Sequence, residues 1–130
     1  MSKDSFFRAY VECALWSSID PDDNDRPLDD KFTKEDIDPE SLAKMRADCD
    51  RFFDENQELL QHAVADDRAG HDLWLSRNGH GAGYFDGEAH EYGKEYERVC
   101  AALQAAAERL GTCDIYPGNP DGEGKRKLYI

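Results

Sequence analysis

The sequence predicts an α+β fold, with three helices packed on one face of an antiparallel sheet of about four strands in the order α-α-ββ-α-ββ. Apolar residues recur at helical spacing in three long stretches. Two turn signals, Asn78-Gly79 and Asn119-Pro120-Asp121-Gly122, each stand between short runs of strand-forming residues. A chain of 130 residues is long enough to bury one core without metals or disulfides.

The first helix is predicted from about Asp4 to Ser17. Phe6, Tyr10 and Cys13 form one apolar row, and Phe7, Val11, Ala14 and Leu15 form an adjoining one, so the helix reads as well buried. Residues 18–38 read as an acidic loop rich in Asp and Pro, with a helical turn starting after Thr33. The second helix opens on Asp38 as N-cap, Pro39 at the first helical position and Glu40 facing the helix dipole. Ile37 and Leu42 are spaced for a hydrophobic staple. Leu42, Met45, Cys49, Phe52, Asn56, Leu59 and Ala63 then step by three and four, leaving Asp48, Glu55 and Glu58 largely on other faces.

His71–Arg77 reads as a strand, Asn78-Gly79 as a tight turn and Ala82–Phe85 as the returning strand. Asp86 caps a third helix whose inner face is Tyr92, Tyr96, Val99, Leu103, Ala106 and Leu110, stopped by Gly111. Asp114–Pro117 and Lys127–Ile130 make a second hairpin. The predicted core includes Leu42, Met45, Phe52, Leu59, Tyr96, Val99 and Leu103. No internal repeat or dividing linker interrupts the chain, so residues 1–130 read as a single domain.

Net charge is −13, from 16 basic and 29 acidic residues. It is uneven: Asp20–Asp67 holds 17 acidic and 6 basic residues, a net of −11, and the rest of the chain carries −2. Such a field repels nucleic acid and anionic membrane and attracts cations or a basic protein. The one basic cluster, Lys125-Arg126-Lys127, is too short to reverse that. With no secretory leader pattern and no apolar run near the roughly 18 residues of a membrane span, the expectation is a cytoplasmic protein. Cys13, Cys49, Cys100 and Cys113 lack C-x-x-C spacing and read as small buried hydrophobes, with neither zinc nor disulfide expected.

Two stretches invite a chemical reading. Asp20, Asp22 and Asn24 match positions 1, 3 and 5 of a calcium loop, but Asp25 replaces the glycine at position 6 and Lys31 the glutamate at position 12, so this is not an EF-hand. The segment Gly70–His90 gathers His71, Asp72, Arg77, Asn78, His80, Asp86 and His90. His71 and Asp72 suggest a general base, and histidines with an aspartate suggest a metal. Against both, His80 suits a tight turn, His90 suits an exposed helical turn, and Ser76 lacks a nucleophile elbow. No catalytic residue, metal or cofactor is assigned.

The run His71-Asp72-Leu73-Trp74-Leu75-Ser76-Arg77-Asn78-Gly79-His80-Gly81-Ala82-Gly83-Tyr84-Phe85-Asp86 resembles a motif in small acidic proteins encoded by tailed phages and prophages. Tyr10–Ser18 is similar to their N-terminal helix, and Asp114-Ile115-Tyr116 with the following Gly-rich turn is similar to their C-terminus. The resemblance spans most of the chain. It implies a bacterial host carrying a phage or mobile element, and no particular activity.

The functional expectation is a protein that binds and inhibits a basic, nucleic-acid-binding host protein of a defence system by DNA mimicry. Duplex DNA carries one charge per roughly 1.7 Å of axis, so a mimic needs dense, fixed carboxylates. Asp22, Asp23, Asp25, Asp48, Glu55 and Glu58 are the predicted partner-facing residues. The alternatives are an accessory protein-binding domain using His71, Asp72, Trp74, Arg77, Asn78 and His80 of the 71–86 hairpin, or a small enzyme centred on His71, Asp72 and His80.

Overall fold

The computed structural model describes residues 1–130, the side chain of Asp66 excepted. Helix α1 (Lys3–Ser17) is the central element. The Ser2 hydroxyl caps it by accepting the Ser5 N–H at 3.0 Å. Both apolar rows are buried, and the residues at spacing four, Asp4, Arg8, Glu12 and Trp16, form the exposed stripe. A helix apolar over so much of its circumference needs neighbours on several sides.

Its main neighbour is α4 (Asp66–Asn78). The two helices meet at Gly70, where an added Cβ would fall on the Phe6 carbonyl oxygen and within 2.8 Å of the Ala9 Cβ. Trp74, fully buried, sets its ring edge-on to Tyr10 at 5.3 Å and donates its indole N–H to the Ser17 hydroxyl at 2.9 Å.

Helix α2 (Pro39–Glu55) starts as predicted, with the Asp38 carboxylate accepting the Ser41 N–H at 3.2 Å and Pro39 in the first turn. It buries Ser41, Met45, Cys49 and Phe52, while Leu42 is only half-buried. It stops at Asn56, and Leu59 falls on a separate turn, α3 (Gln57–Leu60). Phe52 stacks between Phe6 (6.2 Å) and Tyr84 (6.1 Å). Helix α6 (Tyr96–Leu110) buries Val99, Cys100, Leu103, Ala106 and Ala107, and Gly111 ends it at φ 85°. Among the described residues one buried cluster joins all these helices.

The expected fold class is corrected. The chain is 59% helical, and its only sheets among the described residues are two pairs of two-residue strands. The predicted strand His71–Arg77 is the C-terminal half of α4, and the return strand is a 3-10 turn at Tyr84–Asp86. Asn78-Gly79 favours positive φ, which suits a hairpin turn and a helix end alike. It serves as the end of α4 instead of the predicted turn, with Gly79 at φ 65° and the His80 N–H returning to the Leu75 carbonyl at 3.2 Å. Asp86 does not cap a long third helix. Its carboxylate accepts the Gly83 N–H at 3.2 Å and closes the 3-10 turn, a short α5 (Ala89–Tyr92) follows, and Gly93 at φ 81° breaks it from α6.

The second hairpin does form, as β3 (Tyr116–Pro117) against β4 (Leu128–Tyr129), with Tyr116 opposite Tyr129. The acidic loop contains an unpredicted hairpin, β1 (Ile19–Asp20) against β2 (Arg26–Pro27), and β1 lies beside β3. No helix among the described residues is long and apolar enough to cross a membrane.

Candidate functional site

The acidic hairpin is built around a buried carboxylate. Asp20 is fully covered, and its oxygens accept the Asp22 N–H (3.0 Å), Arg126 Nη1 (2.8 Å) and Lys31 Nζ (3.2 Å). Burial alone would raise its pKa; the Asp22 amide, Arg126 and Lys31 outweigh that and hold it below the usual carboxylate value. The Lys31 that breaks the calcium pattern thus supplies the cation, lying 2.8 Å from Asp23 as well. Asn24 and Asp25 make the tip at φ 54° and 56°, a left-handed conformation these short polar side chains tolerate.

The six predicted partner-facing residues divide. Asp22 pairs with Arg126 (3.1 Å), and Asp23 with Lys31. Asp48 belongs to the core wiring, accepting from the buried Arg77 at 3.0 Å. Glu55 pairs with Arg51 one turn back on α2 (3.0 Å). Asp25 and Glu58 are exposed, with no ion pair among the described residues. The hairpin tip and the α3 turn therefore carry the least compensated charge of the set.

The residues of the alternative surface do not form one. Asp72, Trp74 and Arg77 are buried, so they present no docking face. Arg77 donates to Tyr10 Oη (2.9 Å), Asp48 (3.0 Å) and the α6-terminal carbonyls of Gly111 (2.6 Å) and Leu110 (3.4 Å). Asn78 donates to the Trp74 carbonyl (3.0 Å) and accepts the Cys113 N–H (2.7 Å). Ser76 accepts the Tyr84 N–H at 2.8 Å. His80 is exposed beyond the helix end, and His71 is half-buried with its ring 6.1 Å from that of Trp16. His71, Asp72 and His80 are therefore not brought together as an active site: helical geometry turns Asp72 inward and leaves His80 past the cap.

Asp72 has its own closed network. Tyr92 Oη donates to it at 2.5 Å and Arg68 Nε at 3.0 Å, while Arg68 also reaches Glu91 (2.9 Å). Burial raises the Asp72 pKa against the pull of Tyr92 and Arg68. A sealed carboxyl with its lone pairs engaged fastens α4 to α5 and offers no base to a substrate. Nor is there an activated thiol: burial pushes Cys13 up to about 12 and Cys100 up to about 11.

Reading the sequence for charge missed the exposed aromatics. Trp16 and Tyr116 are half or more exposed. The signal for Trp16 lay in its spacing, since it continues the polar stripe Asp4, Arg8 and Glu12. Among the described residues no three His, Cys, Asp or Glu side chains are placed to hold a metal ion. What the surface offers is an array of carboxylates, part of it fixed on a braced hairpin. No protein-family model, curated protein or solved structure matches the chain.

Proposed function

We propose that the protein binds a basic, nucleic-acid-binding protein of a bacterial host and blocks it, presenting carboxylates where that partner takes phosphates. The observation that supports this reading is the bracing of the acidic hairpin by Asp20, Arg126 and Lys31. A flexible acidic loop would lose side-chain and backbone entropy on binding, whereas a braced one has its carboxylates already in place. The net charge of −13 favours fast encounter with a basic surface. The resemblance to phage-encoded acidic proteins supplies the bacterial setting in which such a target would be met.

The test is capture from bacterial lysate on the immobilised protein, at rising salt and with duplex DNA as competitor. The comparison is a variant carrying Asp22, Asp23 and Asp25→Asn with Glu55 and Glu58→Gln. Asp20 is untouched, so the hairpin keeps its brace. The captured proteins should be basic, released by salt and by DNA, and bound at least about fivefold more weakly by the variant, because exposed pairs contribute roughly 0.2–1 kcal/mol each. Capture that ignores both DNA and the five substitutions overturns the proposal.

A further inference from the structure

Trp16 occupies a position where the pattern of α1 calls for a polar side chain. Asp4, Arg8 and Glu12 precede it on the exposed stripe, and its indole is left 58% exposed. Ile19 follows in β1, which alternates outward and inward: Asp20 is buried and Ile19 is 48% exposed. Asp114, Ile115 and Tyr116 alternate in the same way, with Ile115 buried and Tyr116 50% exposed and resting against the Tyr129 ring at 6.2 Å.

The packing of β1 beside β3 brings these elements together, and Arg126 ties the hairpins by reaching both Asp20 and the Gly118 carbonyl. Three of the six exposed large apolar side chains among the described residues therefore sit at one end of the molecule, where α1 runs into the acidic hairpin. Carboxylates flank them. Glu12 is one turn back from Trp16, and Asp114 shares the outward face of Tyr116.

We propose that this aromatic end is the anchoring part of the partner interface, and that its occupant is a basic segment with Lys or Arg around an apolar side chain. The inference rests on the reading of the partner as basic, and adds the contact that holds the partner after charge has attracted it. Exposed Trp and Tyr are the side chains that most often dominate binding energy, and their faces attract Arg and Lys. Charge complementarity selects the occupant. A second copy of this chain would bring another −13 and be repelled, while a basic segment meets the rim carboxylates as its apolar side chain covers the indole.

The chain has two tryptophans, and Trp74 is buried, so a change in emission when a peptide covers the surface reports on Trp16. The probes are two synthetic peptides of equal positive charge, one of Lys and Leu and one of Lys and Gly. The Lys/Leu peptide should shift the emission to the blue and bind about tenfold more tightly than the Lys/Gly peptide. A Trp16→Ala, Tyr116→Ala variant should lose that margin and retain salt-dependent binding of Lys/Gly. Trp16→Gln serves as a second variant, and circular dichroism checks that each stays folded. If wild type binds both peptides equally with no emission shift, the anchor is overturned and the basic-partner reading survives. Binding of neither peptide overturns both. A wild-type dimer in sedimentation that Trp16→Ala dissociates makes the patch a self-interface and overturns the inference.

Discussion

The guanidinium of Arg77 donates to the phenol oxygen of Tyr10 at 2.9 Å inside the core, joining residues 67 positions apart. The same group reaches Asp48 on α2 and the last carbonyls of α6, so one side chain ties four helices. It answers a specific need, because the carbonyls at a helix end lack partners within the helix. Arg77→Ala should therefore cost about 3 kcal/mol in urea unfolding, since several polar groups lose their partner together. Arg77→Lys should fall between, as an ammonium lacks the fork to reach acceptors on several helices. Tyr10→Phe should cost only about 1 kcal/mol, because Arg77 keeps its other acceptors.

The close approach of α1 and α4 gives a second expectation. Gly70→Ala places a Cβ against the Phe6 backbone, which cannot move without displacing α1, and should cost on the order of 2 kcal/mol or more. Gly81 is a useful contrast, because a Cβ there meets nothing within 4 Å and the cost arises from φ +79° alone. Gly81→Ala should cost about 1 kcal/mol. Equal melting temperatures for the two variants would disprove the helix contact.

Helices α1, α2 and α6 were legible because their buried positions are mostly apolar and repeat at helical spacing. Helix α4 was not, since it buries Asp72, Ser76 and Arg77 among its apolar residues, and buried polar groups look solvent-facing when their partners are unknown. Those partners are remote: Tyr10 for Arg77, and residue 126 for Asp20, 106 positions away. Asn-Gly misled for a local reason, as a hairpin turn and a helix end both use positive φ. The charge of the candidate site was visible in composition. Its division into paired and unpaired carboxylates was not, because Arg126 and Lys31 reach Asp20 only through the fold.

Phe52 tests the register of α2. Its ring is buried and stacked between Phe6 and Tyr84, one from α1 and one from the turn after α4. Phe52→Ala removes both stacks and leaves a cavity, which should cost about 3–5 kcal/mol. Phe53, half-buried beside it and edge-on to Phe6 at 5.6 Å, should be clearly less sensitive. If the two alanine variants are equally stable, the packing of α2 described above is wrong.

Asp20 predicts an acid limb with a defined sign. Its folded pKa lies below the unfolded value of about 3.9, so folding favours the ionised form. The stability it contributes is complete above the unfolded pKa and disappears as the pH falls through the lower folded value. Asp72 acts in the opposite sense: its folded pKa is raised, so its contribution is complete below the unfolded value and is lost as the pH rises through the folded one. Asp20→Asn removes the first term and leaves the second. It keeps an oxygen for the Asp22 N–H but loses the pairs to Arg126 and Lys31. Urea midpoints measured between about pH 2 and 7 should show the variant below wild type near neutrality, with the two curves converging below about pH 4. Parallel curves across the range would mean that the Asp20 carboxylate is not the charge that braces the hairpin.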